Sequence, residues 1–316
     1  MLLSRAADAL YWISRYLERA EHTARLVEVR LELGLDRQAK SGAWSFDRLY
    51  TALKVASPGL PPTSAAQLVE DLVLDVSNPS SVAASVTAAR ENARQVREEI
   101  SSDMWEQINA VFLRLNEMRA EGSWSGRPHY VSRMVIDGIH LFEGITDATM
   151  GHGEGWQFLQ AGRFLERASA TAALLEPYFR DDATMLPAAH VEWVGLLRSC
   201  SALEPYCRCY TADLRPERIA EFLLLNSEFP RSVRFAAARL ESAVRAIAQR
   251  TGKGSGARSL RLAGRLHASL DYGQVDEILS EDPQAYLDGI GRHCTQVHTA
   301  LYQQYLTYPI ESALPT

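Results

Sequence analysis

The sequence lacks the long apolar runs that membrane spans and secretory signals need. No apolar run approaches the ~20 residues that cross a bilayer, and Arg5 and Asp8 interrupt the apolar N-terminal segment. We therefore expect this segment to form an amphipathic helix rather than a signal peptide. These absences predict a cytoplasmic protein that has no membrane partner.

Cysteine is scarce as well. The 316 residues include four cysteines, and no two of them form a Cys-x-x-Cys pair. Cys200, Cys207 and Cys209 do not have the spacing of zinc ligands. A disulfide scaffold is not expected in a chain of this size that has no signal peptide.

Strand signals are few, and basic charge is not in excess. No Asn-Gly or Asp-Gly pair lies between two β-branched runs, and the net charge is -6. Nucleic acids and anionic membranes usually bind basic patches, so the composition predicts no nucleic-acid partner. The hydrophobic fraction of 47% is ordinary for a globular protein that buries a core. The expected fold class is all-α.

A helical period is what the sequence does contain. Arg15, Arg19 and His22 lie opposite an apolar stripe, and Gly34 is expected to end the first helix. The stripe repeats every three or four residues, at Ile13, Leu17, Ala20, Ala24, Val27 and Leu31.

Breaker segments divide the rest of the chain into about ten to thirteen helices. These segments are 57–62, 121–126, 151–155, 180–187 and 252–256.

An internal repeat is visible at an offset of about 150 residues, the length of one domain. The segment Arg15–Glu28 matches Arg163–Glu176 at nine of fourteen positions. Two shorter matches follow in the same order. They pair 72–82 with 223–233 and 137–139 with 288–290.

The repeat predicts a multi-helix bundle that arose by duplication. The expected halves are residues 1–150 and 151–316, packed about a pseudo-twofold axis. We expect one compact unit rather than two independent domains, because each repeat can lack a complete core without the other.

The repeated Arg/Glu helices are the strongest candidate site. Arg15, Glu18 and Arg19 recur in the second copy as Arg163, Glu166 and Arg167. Arginine is suited to bidentate binding of carboxylate or phosphate, so facing helices could bind an anion. The same residues could instead form a structural ion network between the halves.

The two copies of this candidate site differ. His22 and Arg25 of the first copy are replaced by Ala170 and Ala173 in the second. Any binding site between the copies is therefore expected to be asymmetric, with the first copy richer in polar groups.

Two further basic segments are weaker candidates. Arg90 and Arg94 could contact an anion, or could lie on a solvated helix face. Arg231 and Arg234 follow Pro230 at an expected helix start, where free N–H groups suit an anion, although capping alone explains the proline and serine.

Metal and cofactor sites are not expected. Asp137, His140 and Glu143 loosely resemble a carboxylate-bundle ligand set, but Glu-x-x-His occurs on no helix. The sequence also contains no nucleotide-binding motif of the GxxxxGK[ST] type.

The opening segment 3–21, with its Glu18-Arg19 pair, resembles the bacterial alpha-E family, which is named for an alpha-helical domain with a Glu-Arg motif. The segments 78–81, 89–94, 156–168 and 229–233 resemble the same family. One departure is 151–154, where the family often has a basic residue.

The resemblance implies an all-α fold. It also implies association with circularly permuted ATP-grasp ligases and with a transglutaminase-like peptidase, in peptide or amide-bond synthesis or modification. The family's motif residues correspond to Glu18, Arg19, Glu166 and Arg167.

Three functions remain open at this point. The chain could be an accessory subunit that binds an ATP-grasp ligase or its anionic peptide substrate. It could be a stand-alone enzyme in which Glu18 or Glu166 is a general base. It could also be a helical scaffold in which the Arg/Glu pairs are purely structural.

Overall fold

A computed structural model describes residues 2–37, 47–55, 62, 64–180, 189–211, 213–252 and 257–307. The described residues form helices and connections, with no β-strand among them. This confirms the all-α prediction. Much of the breaker segments at 57–62, 180–187 and 252–256 falls outside the described residues. The breaker segment 121–126 is described, and in it Gly122 ends a helix with a φ of 62°.

The described residues contain fourteen α-helices, slightly more than the sequence predicts, because several short helices join the long ones. They are α1 (Ser4–Arg37), α2 (Asp47–Leu53), α3 (Ala65–Val69), α4 (Val82–Gln95), α5 (Ser102–Glu121), α6 (Pro128–Thr149), α7 (Glu154–Arg180), α8 (Ala189–Ser199), α9 (Leu203–Tyr210), α10 (Pro216–Leu225), α11 (Val233–Arg250), α12 (Arg258–Asp271), α13 (Val275–Ser280) and α14 (Pro283–Leu301). Two π-helical turns cover Glu70–Leu74 and Tyr302–Leu306, and a 3-10 turn covers Ser123–Gly126.

Two groups of long helices make up the body of the protein. In the first group α1 packs against α4 and α6, and α5 packs against both of these. In the second group α7 packs against α11 and α14, and α12 packs against both of these. The groups meet along α1 and α7, so these two helices form the centre of the molecule.

Serine N-caps begin the helices α4 and α11. The Ser81 hydroxyl accepts a hydrogen bond from Ala84 N, and the Ser232 hydroxyl accepts one from Phe235 N, each at 3.0 Å. Each bond satisfies a backbone N–H group that the first turn leaves free. Pro230 thus lies before the N-cap of α11. The sequence predicts instead that this proline belongs to the first turn of the helix.

The first helix is enclosed on nearly all sides, which its polar face does not predict. α1 contacts α4, α6, α7 and α8, and His22 and Arg25 are buried on it together with the apolar stripe. It also continues past the expected stop at Gly34 and ends at Arg37. The helix remains helical there because Gly34 itself is packed in the interior, where tertiary contacts outweigh its low propensity.

One continuous hydrophobic core joins the two groups. It includes Leu10, Val86 and Ile136 from the first group and Leu165, Leu240 and others from the second. No helix among the described residues is long and apolar enough to cross a bilayer.

Candidate functional site

The candidate site forms where α1 crosses α7 at very short range. A Cβ atom added to Gly162 would lie 2.3 Å from the Tyr11 carbonyl oxygen and 2.4 Å from the Ser14 hydroxyl. Only glycine permits this approach of the two backbones. The close crossing brings the two Arg/Glu segments face to face.

The two glutamates pair reciprocally with the arginines of the opposite helix. Glu18 accepts two hydrogen bonds of 2.6 Å from Nε and Nη2 of Arg167. Glu166 accepts bonds from Nε of Arg15 at 2.7 Å and from Nε of Arg19 at 2.8 Å. The two motifs therefore meet, and each glutamate binds across the interface rather than along its own helix.

Further ion pairs extend this arrangement at both ends. Arg163 Nη2 lies 2.6 Å from Glu143 Oε2, and Arg231 Nη2 lies 2.6 Å from Glu21 Oε1. Glu21 also pairs with Arg25. We call the whole set the Arg/Glu network. Its members are Arg15, Arg19, Arg25, Arg163, Arg167, Arg231, Glu18, Glu21, Glu143 and Glu166.

The network carries more positive than negative charge. It joins six arginines to four glutamates. The two histidines beside it do not add charge at neutral pH. Burial and the nearby Arg231 lower the pKa of His22 to about 4, and burial and Arg25 lower the pKa of His140. An excess of buried positive charge is unfavourable unless an anion compensates it.

Arg25 shows the effect of this excess. Burial and the charge of Arg231 lower its pKa to about 9, although Glu21 is its ion-pair partner. Nη1 of Arg25 also donates a 2.5 Å hydrogen bond to the Ser201 hydroxyl. This end of the network is thus held together by polar contacts from α1, the α8–α9 connection and the segment before α11.

Neither motif glutamate has the properties of a general base. Burial alone would raise the pKa of Glu18, but Arg167 and its neighbours hold that pKa below its ordinary value. Burial likewise opposes a low pKa at Glu166, and Arg15 and Arg19 lower it. A carboxylate that is paired and stabilised in its charged form is a weak proton acceptor.

Two cavities of similar size flank the network. The Arg163 cavity, about 240 Å³, is lined by Glu143, Trp156, Arg163, Phe164 and Arg239 among others. The Arg19 cavity, about 250 Å³, is lined among others by Arg15, Arg19, His22, Lys54, Ser80 and Glu166. One motif glutamate, Glu166, therefore lies at a cavity wall, whereas Glu18 does not line either of these two.

Three of the candidate arginines bind elsewhere. Nε of Arg90 donates to Asn109 of α5 at 2.6 Å, and Arg94 pairs with Glu91 on the exposed side of α4. Arg234 pairs with Asp271 of α12. By contrast, Arg231 joins the network, so the two arginines of one short segment have different roles.

Four residues in or beside the network were not among the candidate binding residues from the sequence. Three of them are the network members Glu21, Arg25 and Glu143, and the fourth residue is His140 beside the network, which hydrogen-bonds Glu21 at 3.2 Å. Only Glu21 and Arg25 gave a local signal, since they are i,i+4 neighbours on one helix. Glu143 binds Arg163 from another helix, and nothing local in the sequence predicts that contact. Among the described residues no group of His, Cys, Asp and Glu could hold a metal ion.

Comparison with known proteins assigns nearly the whole chain to a family. Residues 2–306 match the family described as a predicted alpha-helical domain with a conserved ER motif. An uncharacterised protein of Mycobacterium bovis and one of Mycobacterium tuberculosis are each 23% identical to the chain over 301 residues. The alignments cover 87% of this chain and 33% of each relative. The chain therefore spans about a third of the length of these relatives, and no solved structure matches it.

Proposed function

Because the chain belongs to the Alpha-E family, we propose that it is an accessory subunit of an ATP-grasp-type amide or peptide ligase system in the cytoplasm. In this proposal the Arg/Glu network receives the anionic peptide substrate of the ligase. The family supplies the association with ATP-grasp ligases and with a transglutaminase-like peptidase. The excess of arginine in the site is the reason to expect an anionic substrate.

The excess of arginine in the network is the observation that carries the proposal. Six buried or partly buried arginines share four glutamates, and cavities open on both flanks. A purely structural network would be more stable with balanced charges, because arginines that share a buried carboxylate are only partly compensated by it. An anionic substrate provides the missing negative charge.

The relatives support a role beside a larger component. The matched region makes up 33% of each mycobacterial relative, so in those proteins it is joined to a longer remainder. A region that works next to another catalytic unit does not need a nucleotide site of its own.

We further infer that the two helix groups arose by duplication and are related by a pseudo-twofold axis through the α1–α7 crossing. The reciprocal pairs of Glu18 with Arg167 and of Glu166 with Arg19 support this symmetry, since a twofold contact is reciprocal by construction. The serine caps Ser81 and Ser232 lie at the same offset as the repeat. The substrate site then lies on the axis, and the two cavities are its two sides.

A stand-alone enzyme with Glu18 or Glu166 as its base is the weaker candidate. Arginines lower the pKa of both carboxylates and hold both in ion pairs. General-base catalysis at neutral pH favours the opposite shift.

Affinity purification tests the proposed association. We expect the tagged chain, isolated from its native host, to bring an ATP-grasp ligase in near-equal amount, measured by quantitative mass spectrometry. The Arg94→Gln variant, which loses only an exposed ion pair, should also retain the ligase. Recovery of the chain without any ligase would contradict the proposal.

A further inference from the structure

The Arg19 cavity has an uneven charge. Its walls carry the cations Arg15, Arg19 and Lys54 and one carboxylate, Glu166. A second carboxylate, Glu176, does not line the cavity but lies 3.3 Å from Lys54 Nζ. With both carboxylates counted, positive charge still exceeds negative charge at this cavity.

Arg19 is the arginine best placed to bind a ligand. Its side chain is 32% exposed, compared with 13% for Arg15, and it lines the cavity. Among the described contacts, Arg19 bonds Glu166 through Nε. The two terminal amino groups therefore keep donors for an incoming anion, in the fork geometry that fits a carboxylate.

His22 is a further polar group at this cavity. The residue lines the cavity, and its buried Nε2 atom has no hydrogen-bond partner among the described residues. The residue is 8% exposed, and burial together with Arg231 lowers its pKa to about 4, so the ring is neutral at pH 7. A buried polar atom without a hydrogen-bond partner is unfavourable, and a ligand atom placed beside it would satisfy it.

The rest of the wall limits the ligand to a small, partly aliphatic molecule. Ala52, Leu53 and Ala170 form an apolar side, and the hydroxyls of Ser80 and Ser169 supply further polar atoms. A cavity of about 250 Å³ accommodates a small group of this kind and not a folded partner.

We propose that the Arg19 cavity binds a carboxylate, presented by the C-terminal residue of a peptide or by a free acid of similar size. The inference rests on the proposed function, in which the network receives an anionic peptide, and it names the group that is recognised. Arg19 binds the carboxylate by its terminal amino groups, and His22 fixes its orientation through Nε2. The small apolar wall accepts the adjoining side chain.

Calorimetry on the full chain tests the ligand class at pH 7. We expect N-acetyl-Ala-Ala-Ala with a free carboxylate to bind, and its C-terminal amide to bind at least about tenfold more weakly, since charge-assisted hydrogen bonds are lost. Equal binding of acid and amide, or no binding of either, would overturn the proposal.

Variants locate the binding to this cavity. Arg19→Gln should weaken binding of the free acid at least about tenfold. Ala170→Leu fills the cavity without changing any charge and should also abolish binding, which covers the case in which Arg19→Gln unfolds. Arg94→Gln, with the same loss of charge on the exposed face of α4, should bind as the wild type does. Unchanged binding in Ala170→Leu would place the ligand elsewhere.

Two competitors identify the source of the carboxylate. Tighter binding of the tripeptide than of N-acetylalanine supports a peptide end, and equal binding supports a free acid in the same cavity. Inorganic phosphate that binds as tightly as the tripeptide would show a general anion site and overturn the carboxylate assignment. These measurements use the chain alone. Peptide binding can therefore fail while the ligase still co-purifies, and peptide binding can succeed while no ligase co-purifies.

Discussion

At the scale of single residues, buried ion pairs differ sharply from exposed ones of the same chemistry. The pair of Glu18 and Arg167 has side chains that are 3% and 4% exposed, whereas those of Glu91 and Arg94 are 47% and 60% exposed. Water screens the second pair and not the first. The two pairs therefore provide a direct comparison within one chain.

Glu18→Gln should lower the free energy of unfolding by about 3–5 kcal/mol, because it removes the bidentate partner of the buried Arg167 guanidinium and leaves only the longer contact of 3.6 Å to Glu143. Glu91→Gln is the control and should change it by no more than ~1 kcal/mol. Urea unfolding followed by circular dichroism measures both. A loss below 1 kcal/mol at Glu18 would mean that the Arg167 charge is compensated from another source.

His22 should make stability depend on pH in the acidic range. Its pKa is about 4 in the folded chain and 6.5 in the ordinary state, so the unfolded chain takes up the proton first. Protonation of His22 therefore does not lower the free energy of unfolding above pH 6.5, and it lowers this free energy progressively as pH falls from 6.5 towards 4. Glu18 and Glu166 act at lower pH, since their contribution is lost only as pH falls below their ordinary pKa.

The His22→Gln variant isolates this effect. It should reduce the slope of unfolding free energy against pH by about one proton between pH 6.5 and 4, which is about 1.4 kcal/mol per pH unit. His129→Gln, which changes an exposed ring on α6, is the matched control. Identical slopes in wild type and His22→Gln would show that His22 does not resist protonation in the folded chain.

At the scale of elements, the period of the sequence predicts helices but not which of their faces are buried. The apolar stripe of α1 correctly predicts a long helix in the first segment. Its polar side is buried as well, because α7 supplies Glu166 and two arginines that pair with it. A single helix with a polar face is normally solvated on that face, so the burial depends on a partner 148 residues away.

The crossing of α1 and α7 depends on Gly162. Gly162→Ala should destabilise the protein by about 1–3 kcal/mol, because the new Cβ meets backbone of α1 that no rotamer change can move. Gly144→Ala, in α6, is the control: nothing lies within 4 Å of its Cβ position, so it should stabilise by about 0.5–1 kcal/mol. Thermal or urea unfolding compares the two. A stabilising effect at both positions would show that the helices do not meet this closely.

At the scale of the whole molecule, the sequence predicts more of the fold than of the site. Period and breakers are local properties, and they correctly predict an all-helical chain. The candidates Arg15, Glu18, Arg19, Glu166 and Arg167 came from the repeat and lie together in the network.

The rest of the network depends on contacts between distant elements. Glu143 reaches Arg163 from α6, and Arg231 reaches Glu21 from the segment before α11. Arg90 and Arg94 have the same residue types and similar spacing to the motif arginines, yet they bind within α4 and α5. The spacing of arginines along one helix therefore does not distinguish the motif arginines from Arg90 and Arg94.

The most direct test of the account is the rate of ATP-dependent amide formation by the co-purifying ligase, measured with and without this chain. We predict that the wild-type chain and Arg94→Gln raise the rate, and that folded Arg19→Gln raises it much less, because it lacks the arginine that receives the substrate carboxylate. The same rate with all three chains, or without any of them, would contradict the account.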